Sequence, residues 1–187
     1  MSAFDLSLPL KIKLDDRSVF LRKTIIEALE SGKRAHLGSA MSILEIIRVL
    51  YDDFLNVRPN NINDLKRDRF ILSKGHGCLA LYAVLANKGF FDKKELLNFC
   101  KFNSILGGHP EKHKIPGVEA STGALGHGLS IGAGFAISSK INNVDNKIVV
   151  LVGDGEIDEG SIWEASLSIN KHKLSNITLM IDYNKIQ

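Results

Sequence analysis

The alternation of apolar and polar positions near the start of the chain predicts an amphipathic helix. Asp15 or Asp16 is suited to cap its first turn, and the pattern continues to about Gly32. The positions expected to form its apolar side are Val19, Ile25, Ile26 and Leu29. A second apolar run, Ser42 to Leu55, predicts another helix that stops before Pro59, because the residue preceding a proline disfavours helical geometry.

Three short β-prone runs predict strands, and helical patterns separate them. The runs are RFILS (Arg69 to Ser73), KIVVLV and NITLMID. The helical segments are CLALYAVLANKG, KKELLNFC with Asp92 as its cap, GHGLSIGAGFAISSKI and SIWEASLSINKH, while residues 103–123 are predicted to form loops. In the third of these segments Gly128, Gly132 and Gly134 predict close packing against another element.

The second half of the chain contains the clearest structural unit, a strand, a loop, a helix and a second strand. Its span matches a βαβ crossover, which makes the two strands parallel. The predicted fold is therefore α/β, a doubly wound and mostly parallel sheet with helices on both faces, in a single domain over residues 1–187. Because ligands bind at the carboxyl ends of such strands, Asp154 and Asn184 are expected to lie side by side.

Composition narrows the classes of function. The net charge of +3 is small and the basic residues are scattered, which does not favour nucleic-acid binding. Cys78 and Cys100 lack disulfide or metal-site spacing and are interpreted as reduced core thiols of a cytoplasmic protein. No segment reaches transmembrane length, and the start of the chain lacks the apolar stretch of a signal peptide.

The loop VGDGEIDEG (Val152 to Gly160) combines glycines typical of phosphate binding with four carboxylates. A dinucleotide fingerprint fits poorly, because the third glycine comes two positions late. A calcium-binding EF-hand loop fails, because Glu159 and Ala165 stand where glycine and glutamate are needed. A divalent cation between carboxylate and phosphate resolves the conflict of charge, and a solvated acidic loop is the competing interpretation.

The cation interpretation assigns a magnesium site. Asp154 would supply a carboxylate oxygen, Asn184 a carboxamide oxygen and the main chain near Ile186 a carbonyl, with diphosphate oxygens and water completing the shell. Backbone N–H groups of Gly155 and Glu156, expected to open the following helix, would bind the diphosphate directly.

The motifs of the chain resemble those of a known family. GDG followed about thirty residues later by asparagine is similar to the thiamine diphosphate motif. The surrounding segments RDRFILSKGHGCLALYAVLANKGFF, GGHPEKHKIPGVEASTGALGHGLSIGAGFAIS, VGDGEIDEGSIWEASLSI and IDYNKIQ resemble the N-terminal, diphosphate-binding half of transketolases, particularly the split form in which that half is a separate polypeptide. The resemblance covers the chain from about Arg22 onward.

The resemblance implies site residues and cofactors. It implies thiamine diphosphate and Mg²⁺, with His76 on the diphosphate side and His36 and His109 lining the substrate channel. It places Gly123, Ala124 and Leu125 against the aminopyrimidine and thiazolium rings, and Glu159 at a dimer interface. Two departures from the usual pattern are Ala35 in place of glycine and His127 where many relatives carry glutamine, while His113 and His172 are interpreted as structural.

The resemblance also implies a function and partners. The activity would be transfer of a two-carbon ketol unit from a ketose to an aldose phosphate in carbohydrate metabolism. The activating glutamate would come from a pyrimidine-binding subunit in a homo- or hetero-oligomer. The family domain normally continues past Gln187, so the C-terminal end is expected to be incomplete. The alternatives are a 1-deoxyxylulose-5-phosphate synthase-like enzyme, which GGHPE and STGALGHG disfavour, and a non-catalytic subunit or remnant.

Overall fold

A computed structural model describes residues 13–185 of the chain. The main elements of this part, in chain order, are α1 (Asp16–Gly32), α2 (Leu37–Val49), β1 (Arg69–Leu72), α3 (Cys78–Lys88), α4 (His127–Ile141), β2 (Ile148–Gly153), α5 (Gly160–Lys171) and β3 (Ile177–Asp182). Shorter helical turns are a π-helix at Leu50–Phe54 and 3₁₀ helices at Pro59–Asn61, Gly75–Gly77, Lys93–Asn98 and Gly155–Asp158.

The three strands form one parallel sheet in the order β1-β2-β3. Leu151 in the middle strand pairs with Leu72 on one side and Met180 on the other. All six residues of β2 are buried, as expected for a strand covered on both faces. The β2-α5-β3 unit confirms the predicted parallel crossover.

Helices cover both faces of the sheet, which confirms the doubly wound arrangement. Alternate strand residues point to opposite faces, so one core contains Val149 and Leu151 together with α1, α2 and α3. The other core contains Val150 and Val152 together with α4 and α5. Burying an aliphatic side chain of this size contributes about 1.5–3 kcal/mol to folding, and both cores depend mainly on this term.

The first two predicted helices form, with corrections to their details. Asp15, one of the two predicted candidates, caps α1 by accepting a hydrogen bond from the Ser18 N–H. Val19 and Ile26 nevertheless remain exposed, because the buried side of α1 is formed by Ser18, Leu21, Ile25 and Ala28. The second helix begins at Leu37 rather than Ser42, and its last turn is the π-helix. Gly38 and Ser39 therefore lie within the helix, ahead of its predicted start.

The glycines of α4 divide into two kinds. A Cβ atom on Gly132 would lie 2.5 Å from the Val150 side chain, so this glycine permits close helix–sheet packing, as does Gly128 against Ser73. A Cβ atom on Gly134 would meet nothing within 4 Å, and the prediction of close packing is wrong there. Close contact is therefore limited to the side of α4 that faces the sheet.

Candidate functional site

The carboxyl ends of the parallel strands bring polar residues together at one edge of the sheet. Ser73 and Lys74 follow β1, Asp154 follows β2, and Asp182 ends β3. The Asp154 N–H donates a hydrogen bond to the Asp182 carbonyl oxygen, 3.2 Å away. The expected meeting of the GDG loop with the segment after β3 is confirmed.

Asp154 is tied to that segment through its side chain as well. One carboxylate oxygen accepts a hydrogen bond from the Lys185 N–H at 2.8 Å, and the other accepts one from the Gly155 N–H at 3.2 Å. Asn184 lies in the same turn, where its side-chain amide donates to the Asp182 carboxylate at 3.3 Å. Ile186, the third predicted metal ligand, lies outside the described residues.

The donor chemistry at this turn fits a hard divalent cation. Each oxygen of the Asp154 carboxylate accepts a single backbone N–H, which leaves electron pairs available for a metal. Mg²⁺ in phosphate sites commonly takes only one or two protein carboxylates. Residues 13–185 contain no group of three or more histidine, cysteine, aspartate or glutamate side chains placed to hold a metal.

A buried ion pair, which the sequence did not indicate, spans the edge of the sheet. The Lys74 ammonium lies 2.6 Å from the Asp182 carboxylate, and the Ser42 hydroxyl donates to the same carboxylate at 2.7 Å. Burial by itself would raise the pKa of Asp182, but the hydrogen bonds from Lys74 and Ser42 outweigh burial and lower it. The Asp182 carboxylate is therefore occupied by protein donors, whereas the Asp154 carboxylate accepts the two backbone N–H groups described above.

The loop after β2 differs from the prediction for its backbone. Gly155 and Glu156 open the 3₁₀ helix Gly155–Asp158, and α5 begins only at Gly160. Within this 3₁₀ helix the Glu156 side chain turns inward and is 2% exposed. Its carboxylate accepts hydrogen bonds from the Ser73 hydroxyl, the Gly126 N–H and the Gly153 N–H.

Three histidines gather beside this edge. The rings of His36 and His76 lie edge to face with their centroids 5.4 Å apart. Burial, together with the nearby Lys74 ammonium, His36 and His109, lowers the pKa of His76 below 6.5, while Asp182 opposes the change. His76 is thus held as a neutral imidazole at pH 7.

His36 and His109 reach the site from different elements. His36 precedes the first turn of α2, so the segment RAHLGS leads into the start of a helix. The ring of His109 lies against Gly123, where an added Cβ would come within 2.7 Å of it. Both histidines are exposed.

The segment from Gly123 to Leu125 forms an open loop beside the histidines. Gly123 has φ of +139°, a conformation that favours glycine. The preceding Thr122 hydroxyl donates to the Leu72 carbonyl at 2.6 Å, which anchors the loop to the end of β1. Ala124 and Leu125 are exposed and available for contact.

The remaining residues noted in the sequence lie around this group. Glu159 is exposed and precedes the first turn of α5, and His127 is the exposed first residue of α4. Cys78 is a buried free thiol, as expected, whereas Cys100 is only partly buried. Within residues 13–185, none of the helices has the length and apolar character needed to cross a membrane.

Comparison with known proteins agrees with this geometry. The family described as "Transketolase, thiamine diphosphate binding domain" matches residues 16–187. One of the subunits of the apulose-4-phosphate transketolase of Phocaeicola vulgatus is 45% identical over 166 residues, which are 89% of this chain. The 6-deoxy-6-sulfo-D-fructose transketolase subunit SqwG of Clostridium sp. is 36% identical over 95% of this chain.

Solved structures show the same fold. The transketolase of Campylobacter jejuni superposes with a TM-score of 0.85 at 33% sequence identity over 92% of this chain. The matched region is 28% of that transketolase chain. The chain likewise spans 59% of the length of the Phocaeicola protein and 64% of the length of the Clostridium protein.

Proposed function

The chain belongs to the transketolase family as a thiamine diphosphate-binding domain, and from this premise we propose that it is the diphosphate-binding component of a split transketolase. The proposed reaction moves a two-carbon ketol unit from a ketose to an aldose, with sugar phosphates as substrates. The relatives that are named as single subunits of a transketolase support a division of the enzyme into two polypeptides. A cytoplasmic location stays a prediction.

The single observation that carries the proposal is the contact between Asp154 and the turn after β3. The Lys185 N–H donates to the Asp154 carboxylate, and Asn184 is the preceding residue of the same turn. This contact supports a site in which Asp154 offers an anionic oxygen ligand and Asn184 a neutral one. Asp154 and Asn184 would hold Mg²⁺, with a further ligand from the main chain near Ile186. The metal would in turn bind the diphosphate.

Thiamine diphosphate, when bound, would supply the nucleophilic carbon needed to cleave a carbon–carbon bond next to a ketose carbonyl. The protein's part is to bind, orient and move protons. Neutral His76 has a ring nitrogen free to accept or an N–H to donate, and it would contact the diphosphate side. His36 and His109 would bind donor hydroxyls and assist proton transfer, since imidazoles exchange protons near neutral pH.

The exposed position of the site supports a requirement for a partner. His36, His109, Ala124 and Leu125 are all exposed, whereas cofactor chemistry needs a site from which water is excluded. A pyrimidine-binding subunit placed over this edge would cover these residues and supply the activating glutamate. The resulting enzyme would be an oligomer containing both kinds of chain.

Reconstitution tests the proposal. The chain is mixed with the candidate pyrimidine-binding subunit, thiamine diphosphate and Mg²⁺, and transfer of a two-carbon unit from a ketose phosphate to an aldose phosphate is measured. Transfer by the pair and none by either chain alone is expected. A pair that binds the cofactor but releases CO₂ from pyruvate would instead favour a 1-deoxyxylulose-5-phosphate synthase. A complete pair with neither activity would refute the assignment.

A further inference from the structure

The Glu156 carboxyl group is buried, and its hydrogen-bond partners are neutral donors. One oxygen accepts hydrogen bonds from the Ser73 hydroxyl and, at 2.9 Å, from the Gly126 N–H. The other oxygen accepts the Gly153 N–H at 3.1 Å. An ionised carboxylate is costly to bury, and several donors directed at it offset that cost. The arrangement therefore depends on all three donors remaining in place.

The three donors belong to three separate segments of the chain. Ser73 lies immediately after β1, Gly153 at the end of β2, and Gly126 immediately before α4. Ser73 extends the network, because its oxygen accepts the Gly128 N–H at 3.1 Å. One side chain thus joins the ends of two strands to the start of a helix.

The contact at Gly126 anchors one end of the loop 123–125. The carbonyl of Gly126 also accepts a hydrogen bond from the Ser161 hydroxyl at 2.9 Å, so both of its backbone polar groups are bound to the region around α5. The other end of the loop is anchored at Thr122, as described above. Between these anchors, Ala124 and Leu125 are exposed.

We propose that Glu156 is a positioning residue that sets the distance between the loop 123–125 and the GDG loop. The inference rests on the proposed function, in which the two loops hold opposite ends of thiamine diphosphate. Glu156 does not touch the cofactor through its side chain. It acts by holding Gly126 and Gly153 on one carboxylate, so that the ring-binding loop and the metal-binding loop keep a fixed separation.

The substitution Glu156→Gln tests this role with little change of volume. A carboxamide has one acceptor oxygen, so its NH₂ group must face one of the donors now bound by the carboxylate. Amide hydrogen exchange in peptides covering residues 122–128 of the cofactor-free full chain is expected to accelerate by about tenfold or more. The dissociation constant for thiamine diphosphate with Mg²⁺, measured on the complex with the partner subunit, is expected to rise about 10- to 100-fold.

Glu119→Gln is the matched control. Glu119 is also a buried carboxylate, but it binds Arg67 and Arg69 before and at the start of β1, the end of the strand opposite the site. Its substitution is expected to lower thermal stability without accelerating exchange at 122–128 or weakening cofactor binding relative to the wild type. A comparable loss of cofactor affinity in both variants would mean that Glu156 has only a general structural role.

The remaining outcomes separate this proposal from the proposed function. The positioning role is overturned if amide exchange at 122–128 is as slow in Glu156→Gln as in the wild type, or if the dissociation constant of the variant stays within about twofold of the wild-type value. Loss of a hydrogen bond to a buried carboxyl group is expected to change both quantities by more than this. If the wild-type complex binds no thiamine diphosphate, the proposed function fails, while the exchange data still decide whether Glu156 fixes the loop. If Glu156→Gln does not fold, Glu156→Asp keeps the charge but shortens the reach, and unchanged exchange in that variant also overturns the role.

Discussion

Lys74 and Asp182 form a buried ion pair, 2.6 Å from nitrogen to oxygen, that joins the segment after β1 to the end of β3. The central strand β2 lies between them in the sheet, so the pair connects the two outer strands at the edge where the cofactor site is proposed. Lys74 is 1% exposed and Asp182 is 7% exposed. Their charges are therefore poorly screened by solvent, and each depends on the other.

Asp182→Asn is expected to destabilise the protein strongly. The substitution leaves the Lys74 ammonium buried without a counter-charge, and breaking a buried pair in this way costs about 3–5 kcal/mol. Urea unfolding followed by circular dichroism measures the change in the free energy of unfolding. Glu111→Gln, which removes the exposed pair with Lys114, is the control, with an expected loss of about 0–1 kcal/mol. Equal losses of unfolding free energy in the two variants would contradict the prediction that the buried ion pair is the more stabilising of the two.

Asp154→Asn is expected to weaken metal-dependent cofactor binding. The substitution removes the negative charge offered to Mg²⁺ and turns an NH₂ group toward one of the backbone donors at Gly155 or Lys185. Calorimetry with thiamine diphosphate should show a loss of about tenfold or more in affinity with Mg²⁺ present, and little difference from the wild type when EDTA removes the metal.

Glu164→Gln serves as the charge-matched control for that experiment. Glu164 is exposed on α5, so its substitution changes the net charge equally without altering the turn after β3. Its affinity should equal that of the wild type. An Asp154→Asn variant that binds the cofactor normally with Mg²⁺ would exclude Asp154 as a metal ligand. A wild-type protein and partner that produce no heat and no thermal shift would favour a non-catalytic remnant.

Gly123→Ala is expected to affect both stability and substrate use. The backbone at φ +139° disfavours any side chain, at a cost of about 1–3 kcal/mol, and the new methyl group would displace the His109 ring. In the reconstituted enzyme the KM for the ketose donor should rise because His109 is moved.

The control for Gly123→Ala is the variant Gly134→Ala in α4. Gly134 is exposed, and an added Cβ there meets no atom within 4 Å. Alanine in a helix is favoured over glycine by about 0.5–1 kcal/mol, so this variant should be slightly more stable and have unchanged kinetics. If both variants are as active and as stable as each other, the contact between Gly123 and His109 does not contribute to substrate binding or stability.

The lowered pKa of His76 predicts a dependence of stability on pH. Its pKa in the folded protein lies below 6.5, the value expected in the unfolded chain. As the pH falls below 6.5 the unfolded chain gains a proton first, so stability present above pH 6.5 is lost as the pH falls through the folded pKa. NMR titration of the His76 ring should give the low pKa directly.

Unfolding experiments check the same residue independently. The loss of unfolding free energy between pH 7.5 and pH 5 should be smaller in His76→Gln than in the wild type, because the group that takes up the proton is absent. Identical pH profiles for the two proteins, or a ring pKa above 6.5, would show that burial does not keep this histidine neutral.

Local patterns in the sequence were sufficient for most of the secondary structure. The apolar run of β2 and a helix cap at Asp15 or Asp16 were predicted correctly because both depend on neighbours within a few residues. The meeting of Asp154 with the segment after β3 also followed, since parallel strands place their carboxyl ends at one edge. The start of α2 was missed because its first turn contains Gly38 and precedes the apolar run that marked the helix, and glycine is a poor helix former.

The sequence by itself determined the α/β fold, the parallel crossover and the residues present at the carboxyl edge of the sheet. The tertiary structure alone decided which partners those residues find: Lys74 binds Asp182, the Glu156 side chain turns inward to Gly126, and the His109 ring rests on Gly123. These contacts join positions between 14 and 108 residues apart. Spacing along the chain indicates which side chains share a face of a helix or strand, but the packing of distant segments decides which of them are buried and which donors and charges surround them.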